Sequence, residues 1–317
     1  MNSGSPILIV DDMHPALMKG LEERTYAYTY LPDATREEVL AHLPGCSGLV
    51  VRSKLKVDKE VIDAGFQLRF IARAGSGMDN VDEDYAAKKG ILCLNAPEGN
   101  SDAVGEHAAG LLLALTRNSI RAFDEVKEGV WLREENRGEE LTELTVGIIG
   151  YGHTGQAFAR KISGFGCHVL FYDKFIKNIP TPFAQEALLE VVLDRADVLS
   201  FHIPWNEEND GLINRTLIEA VSRPFYLLNL SRGGIMKTQD ILWGLENGKI
   251  KAAALDVLEN EKPDTWTLTE RMFIQRFIQS KRVIVTPHIG GWTKASYRKI
   301  SEVLLAKILP VLSKDEI

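Results

Sequence analysis

Thr145-Val146-Gly147-Ile148-Ile149-Gly150-Tyr151-Gly152-His153-Thr154-Gly155 is the stretch of this 317-residue chain that decides its fold. An apolar run ends directly in Gly-x-Gly-x-x-Gly, and the pattern then turns helical over residues 156–163. In that context each glycine has a separate physical task. Gly150 permits the tight turn, Gly152 lets backbone approach a pyrophosphate, and Gly155 lets the helix pack closely on the strand. The helix N-terminus then offers unpaired N–H groups to phosphate charge, with His153 and Thr154 contributing backbone rather than side-chain chemistry.

The next apolar run, residues 169–173, closes on Asp173, 18 residues beyond Gly155. A carboxylate there can accept hydrogen bonds from the adenosine ribose and would repel a 2′-phosphate. NAD is therefore expected rather than NADP, even with Lys174 and Lys177 nearby.

Working outward, the glycine turn belongs to a series of six strand-like runs at 145–150, 169–172, 198–202, 226–230, 252–255 and 283–286, the count of a Rossmann sheet. Upstream, runs at 7–10, 48–51, 70–74 and 91–95 alternate with helical stretches such as 35–42, which reads as a second parallel α/β sheet. Asn100-Ser101-Asp102 offers a cap for a long buried helix over 103–116 that bridges the two series. The last helical stretch, 295–312, is placed back on the first domain. The expected architecture is two doubly wound parallel-sheet domains. A Rossmann-type cofactor domain, residues 99–286, is inserted into a discontinuous flavodoxin-like domain made of 1–98 and 287–317.

Composition narrows the function classes. The 45% hydrophobic content supports a sizeable core, and 37 basic against 44 acidic residues leave a charge of −7 without long single-sign blocks. Nucleic acid and anionic membrane are poor partners for such a surface, so a small molecule is expected. Three cysteines without C-x-x-C spacing argue against a disulfide framework or structural zinc. The N-terminus lacks a basic region and a sustained apolar stretch, and no run approaches the length of a membrane span, so a cytoplasmic location is expected.

Three later segments each follow a strand-like run: Asn229-Leu-Ser-Arg232-Gly-Gly, Leu255-Asp256-Val-Leu-Glu259-Asn-Glu261, and Thr286-Pro-His288-Ile-Gly-Gly291. In a doubly wound sheet, ligands bind beyond the carboxyl ends of the strands. Their residue types suit reduction of a 2-keto acid, which needs a cation to fix the carboxylate and polarise the ketone, and an acid to protonate the developing alkoxide. Arg232 can contact two oxygens at once, as lysine cannot. His288 is the candidate acid and base, and Glu261 the residue that orients its ring.

These motifs, with His202-Ile-Pro204, resemble the D-isomer-specific 2-hydroxyacid dehydrogenase family over nearly the whole chain. The resemblance implies Arg232, Glu261 and His288 as the catalytic residues, Asp256 at the nicotinamide carboxamide, and His202 and Pro204 on the adenine side. From the first domain it implies a substrate loop over 74–79, including Ser76 and Gly77, with Arg52, Ser53 and Asn100 as further substrate-side positions. It implies NAD as cofactor, a homodimer, and closure between domains with hinges near Pro97 and Pro287. Within the family the motifs point to the branch that handles 3-phospho-D-glycerate and 3-phosphohydroxypyruvate. Glyoxylate or hydroxypyruvate reduction and D-lactate-type oxidation are the alternatives, and an NAD-responsive, corepressor-like binding protein is the reading from another class. With residue 317 closing the sequence, no C-terminal serine-binding regulatory domain is expected.

Two features depart from the family pattern. The segment 264–282 is long, and its Met-Phe-Ile-Gln-Arg-Phe-Ile stretch predicts a helix covering the site; Trp292 stands where a small residue is usual. Two attractive alternatives are weaker. Asp11-Asp12 after the first run resembles a phosphorylation receiver, but the run 48–51 leads into Arg52 where a receiver needs its acceptor aspartate. His107 has no partner at metal-ligand spacing and reads as a packed, hydrogen-bonded histidine, so no metal site is expected.

Overall fold

The structure is a computed structural model that describes residues 5–313, so the outermost residues of the expected domain ranges, 1–4 and 314–317, lie outside it. The chain divides into two compact units, Met1–Ser101 with Trp292–Ile317, and Asp102–Gly291.

The first unit is built on five parallel strands: β1 (Ile7–Ile9), β2 (Tyr28–Tyr30), β3 (Gly48–Val51), β4 (Phe70–Arg73) and β5 (Leu92–Asn95), in the order β2-β1-β3-β4-β5. β3 is buried along its whole length, as expected of a parallel strand covered on both faces. One face carries Leu8, Leu49, Val51 and Ile71. The other carries Ile7, Ile9, Val50 and Phe70 against Leu17, Leu21 and the stripe Ile300, Leu304, Ile308 and Leu312. That stripe recurs every fourth residue along the helix Lys294–Leu312, which puts it on one face and makes the C-terminal segment part of this core. β2 had no counterpart among the expected runs: its three residues are tyrosines and a threonine, half-buried at the sheet edge, without an aliphatic signal.

The second unit holds seven parallel strands: β6 (Thr145–Ile149), β7 (His168–Tyr172), β8 (Gln185–Glu186), β9 (Val198–Phe201), β10 (Phe225–Asn229), β11 (Ile250–Leu255) and β12 (Val283–Val285). Their order is β12-β11-β10-β9-β6-β7-β8. The chain therefore starts mid-sheet, runs to one edge, and returns to build the other half, so the order reverses between β6 and β9. The six expected strands are all present, and the seventh, β8, is an edge strand of two residues, too short for periodicity to show.

The long helix starts at Pro97 and runs to Thr116, earlier than the expected cap at Asn100. Proline's preset φ favours the first helical position, and Asn100 falls inside the first turns. The helix Leu268–Gln279 is present in the segment 264–282, opened by a capping box between Thr267 and Glu270. Its buried Phe277 joins the cluster of Leu227, Ala253 and Leu255 beneath the sheet, with Phe273 packed against it. The helix is the crossover that two parallel strands such as β11 and β12 require; Ile274 and Phe277 are buried, while Leu268, Met272 and Ile278 stay exposed.

Candidate functional site

In the second unit the strand β6 delivers Gly150 at the switch of strand order. Gly150 has φ +93, and a Cβ there would lie 2.5 Å from the His202 carbonyl oxygen, so only glycine fits. A Cβ on Gly155 would lie 2.1 Å from the Gly150 carbonyl oxygen, whereas one on Gly152 would meet no protein atom within 4 Å. The turn is thus closed by protein at its first and third glycines and open at its second. Gly152 is the N-cap of the helix His153–Ile162, and no side chain caps that end. Its first-turn N–H groups suit an anion held by backbone. The space at Gly152 and the uncapped helix fit a dinucleotide pyrophosphate.

Asp173 follows β7 and is buried. Its Oδ2 accepts the Tyr151 N–H at 2.7 Å, and its Oδ1 accepts the N–H groups of Phe175 and Ile176, both at 2.8 Å. A carboxylate offers about four acceptor positions, which leaves one on Oδ2. The neighbouring lysines are engaged elsewhere: Lys174 pairs with Glu208 at 2.5 Å, and Lys177 donates to the Asp173 carbonyl. His202 follows β9, buried beside Phe158, with Nε2 2.8 Å from the Ser200 hydroxyl. Burial pushes its pKa down to about 4, so the ring is neutral at pH 7. The Pro204 carbonyl accepts the Asn209 side-chain N–H at 2.9 Å.

Arg232 follows β10, Asp256 and Glu261 follow β11, and His288 follows β12, and these three strands are neighbours in one parallel sheet. Side chains separated by up to 56 positions in sequence therefore leave from adjacent strand ends. Arg232 donates to the Ser231 carbonyl at 2.7 Å, and its own carbonyl accepts from Asn229 at 3.0 Å, which shapes the turn it sits on. His288 Nδ1 lies 2.9 Å from Glu261 Oε2, leaving Nε2 as the nitrogen away from the carboxylate. About half of each side chain is exposed, His288 at 45% and Glu261 at 41%, so the pair is open to a reactant.

The backbone that carries His288 is held unusually tightly. His288 has φ +54, a left-handed conformation uncommon outside glycine. Its N–H donates to the carbonyls of Asp256 and Thr286, each at 2.9 Å. The Asp256 carboxylate, 1% exposed, accepts the Thr286 hydroxyl at 2.5 Å, the Ile289 N–H at 2.9 Å and the Gly290 N–H at 2.7 Å. Burial alone would push this carboxyl up. The nearby His107 ring and the hydrogen bonds from Thr286, Gly290 and Ile289 outweigh it, and the pKa sits below the ordinary value. His107 Nε2 lies 3.1 Å from the Thr286 hydroxyl and 3.6 Å from Asp256 Oδ1. Thr286 and His107 were not among the site residues expected from sequence. His107 does make hydrogen-bonding contact as a packed histidine should, but its partner, Thr286, belongs to the loop that bears His288.

The first unit carries the other expected positions. Arg52 and the exposed Ser53 follow β3. Gly75, at φ +156, opens the loop after β4, where the Ser76 hydroxyl donates to Asn100 Oδ1 at 2.5 Å, the Asn95 side chain donates to the Ser76 carbonyl at 2.6 Å, and Gly77 is half-buried. Ser76 and Asn100, 24 positions apart, are thus brought into direct contact. Asp11 is buried and accepts the Arg52 N–H at 2.6 Å, a structural role for half of the acidic pair. Among the described residues no group of three or more His, Cys, Asp or Glu is arranged to hold a metal ion, and no helix is long and apolar enough to cross a membrane.

Residues 109–290 match the family described as "D-isomer specific 2-hydroxyacid dehydrogenase, NAD binding domain". The chain belongs to the D-isomer specific 2-hydroxyacid dehydrogenase family. The matched region spans both the glycine turn and the strand ends that carry Arg232, Glu261 and His288, so the second unit is the family's NAD-binding domain. The chain is 34% identical over 312 residues to D-3-phosphoglycerate dehydrogenase of Methanocaldococcus jannaschii, covering 96% of this chain and 57% of that one. It is 35% identical over 279 residues to hydroxypyruvate reductase of Thermotoga maritima, covering 87% of this chain and 88% of that one. This 2-hydroxyacid dehydrogenase homologue therefore spans little more than half the length of the phosphoglycerate dehydrogenases it matches, and most of the length of the reductase. Among solved structures, D-lactate dehydrogenase from Aquifex aeolicus, complexed with NAD and lactic acid, shares the fold at a TM-score of 0.83 and 25% identity, with 98% of this chain and 96% of that one covered.

Proposed function

We propose that the protein is an NAD-dependent dehydrogenase acting on a small D-2-hydroxy acid, with 3-phospho-D-glycerate and 3-phosphohydroxypyruvate as its substrate pair. The observation that carries the reaction class is the His288–Glu261 pair, 2.9 Å apart, which joins the segments following the neighbouring strands β12 and β11 within a family NAD-binding domain. The identity to phosphoglycerate dehydrogenases over nearly the whole chain supports the substrate, and the comparable identity to a hydroxypyruvate reductase makes that acid the alternative.

Gly150, Gly152, Gly155 and the N–H groups of His153 and Thr154 hold the pyrophosphate. Asp173 takes the ribose hydroxyls with its remaining acceptor position, and His202 and Pro204 line the adenine side. Asp256 faces the carboxamide while anchoring the 286–290 loop. When bound, NAD supplies the hydride acceptor for C2 of the alcohol. His288 Nε2 takes the hydroxyl proton during oxidation and returns it during reduction, and Glu261 keeps Nδ1 protonated and the ring oriented. Arg232 binds the carboxylate and the C2 oxygen together, which draws negative charge onto that oxygen during hydride arrival. The first unit, close to the expected 1–98 and 287–317, is the substrate domain, with Ser76, Gly77, Asn100, Arg52 and Ser53 as its substrate-side residues. A homodimer is the assembly we infer. Exposed Phe123 and Trp131, at 63% and 82%, support an apolar contact surface on the second unit.

The test is initial-rate oxidation of NADH, with NADPH in parallel, against 3-phosphohydroxypyruvate, hydroxypyruvate, glyoxylate and pyruvate. Fastest turnover of the phosphorylated acid with NADH is expected. Preference for an unphosphorylated acid overturns the substrate, and silence with every acid overturns the reaction class in favour of a binding protein.

A further inference from the structure

In the first unit the strand order reverses between β1 and β3, and open parallel sheets bind ligands beyond the strand ends at such a reversal. The two strands run in register, Ile7 opposite Gly48 and Ile9 opposite Val50, so Asp11-Asp12 and Arg52 leave the same edge side by side. The Arg52 guanidinium carbon lies 3.8 Å from the centroid of the Trp292 ring and 5.6 Å from that of Tyr297. Trp292 is 60% exposed although it is among the largest apolar side chains in the chain.

The donors of Arg52 are unspent. Its backbone N–H is bonded to Asp11, yet none of its side-chain N–H groups donates to protein among the described residues. An acid stands nearby, but it is committed elsewhere: Asp12 Oδ2 accepts the Tyr297 hydroxyl at 2.6 Å, and its Oδ1 accepts that of Tyr30 at 3.4 Å. If stability alone shaped this cluster, Arg52 would pair with Asp12. Instead the tyrosines satisfy the carboxylate, and Trp292 covers one face of a guanidinium whose donors point outward in its own plane. A guanidinium stacked on its face and free along its edges is prepared for an oxyanion with two or more acceptors.

We propose that Trp292 is a positioning residue that fixes Arg52 as the subsite for a second anionic group of the substrate, a phosphate or a carboxylate other than the one beside C2. This rests on the reading of the substrate as a small 2-hydroxy acid. Trp292 then determines specificity through charge: removing it leaves Arg52 mobile and lowers affinity only for acids that carry the second anion.

The experiment is calorimetric binding, in the presence of NADH so that no hydride can be exchanged, of 3-phospho-D-glycerate, D-malate and D-glycerate. Wild type, Trp292→Ala and Trp292→Phe are compared. Wild type is expected to bind at least one of the two doubly anionic acids more tightly than D-glycerate, and which one identifies the anion. Trp292→Ala is expected to weaken that ligand by roughly tenfold, the scale of a partly desolvated cation–π contact, and D-glycerate by much less. Trp292→Phe should restore most of the loss. An unchanged ratio in Trp292→Ala, or no preference in wild type, overturns the proposal even if the protein turns over 2-keto acids. A Trp292-dependent preference without any turnover supports the subsite and overturns the enzymatic reading instead.

Discussion

The hydroxyl of Thr286 donates to the buried carboxylate of Asp256 at 2.5 Å, tying the end of β12 to the end of β11. Through that bond the loop bearing His288 is fixed from its neighbour strand, and the left-handed backbone at His288 is held where its ring meets Glu261. Such conformations cost of order 1 kcal/mol or more and persist only where surrounding bonds over-determine them.

Thr286→Val keeps the shape of the side chain and removes only the hydroxyl. It is expected to cost about 1 kcal/mol in urea unfolding and to lower kcat while NADH affinity stays close to wild type. Unaltered kcat would show that the loop does not depend on this bond.

The glycine turn separates folding from cofactor binding. Gly155→Ala places a Cβ 2.1 Å from the Gly150 carbonyl and should reduce Tm and NADH affinity together. Gly152→Ala meets no protein atom within 4 Å, so Tm should hold while NADH binding, followed by fluorescence, weakens by tenfold or more, about 1.4 kcal/mol. Unweakened NADH binding in Gly152→Ala would remove the pyrophosphate from this turn.

His288→Ala is expected to lower kcat by about 10²- to 10⁴-fold, the range of general acid–base catalysis, with NADH affinity little changed. Glu261→Gln keeps a hydrogen-bonding side chain without the charge and should lose less. Single-turnover rates decide the matter: a His288→Ala enzyme transferring hydride at the wild-type rate would leave the proton without this carrier.

Stability should fall in acid in two windows. His202 has its pKa pushed down by burial from 6.5 to about 4. Between those values the unfolded chain binds the proton and the folded one does not, so stability is full above about 6.5 and declines as pH falls towards 4. Asp256, held below its ordinary value, contributes stability that is present above the unfolded carboxyl range of about 4 and is lost as pH falls through its lower folded pKa. Urea midpoints followed from pH 7 downward, with His202→Gln alongside, check the assignment. The variant should flatten the upper window alone.

Much of this protein was legible in residue order because its controlling signals are local. A strand, a turn and a helix N-terminus occupy consecutive residues in 145–155, so the glycine spacing carries its geometry within itself. Arg232, Glu261 and His288 could be picked out because each lies a few residues beyond a strand, and parallel sheets bring such ends to one edge. The helical stretch 295–312 was likewise legible as a return to the first domain, and in the structure Ile300, Leu304, Ile308 and Leu312 form its buried stripe.

What residue order could not supply are contacts whose partners are distant and whose elements carry little pattern. β2 and β8, with three and two residues, are strands only because a neighbour offers its backbone. His107 meets Thr286 across 179 positions, and Tyr297 meets Asp12 across 285, and neither pairing leaves any trace in local spacing. The stacking of Trp292 on Arg52 is of the same kind. A tryptophan and an arginine 240 positions apart are two solvated side chains until a strand end and the start of the last helix bring them together. Local propensity and hydrophobic period settle which elements form, whereas the meeting of particular side chains follows from how those elements pack, because only packing brings sequence-distant atoms within bonding range.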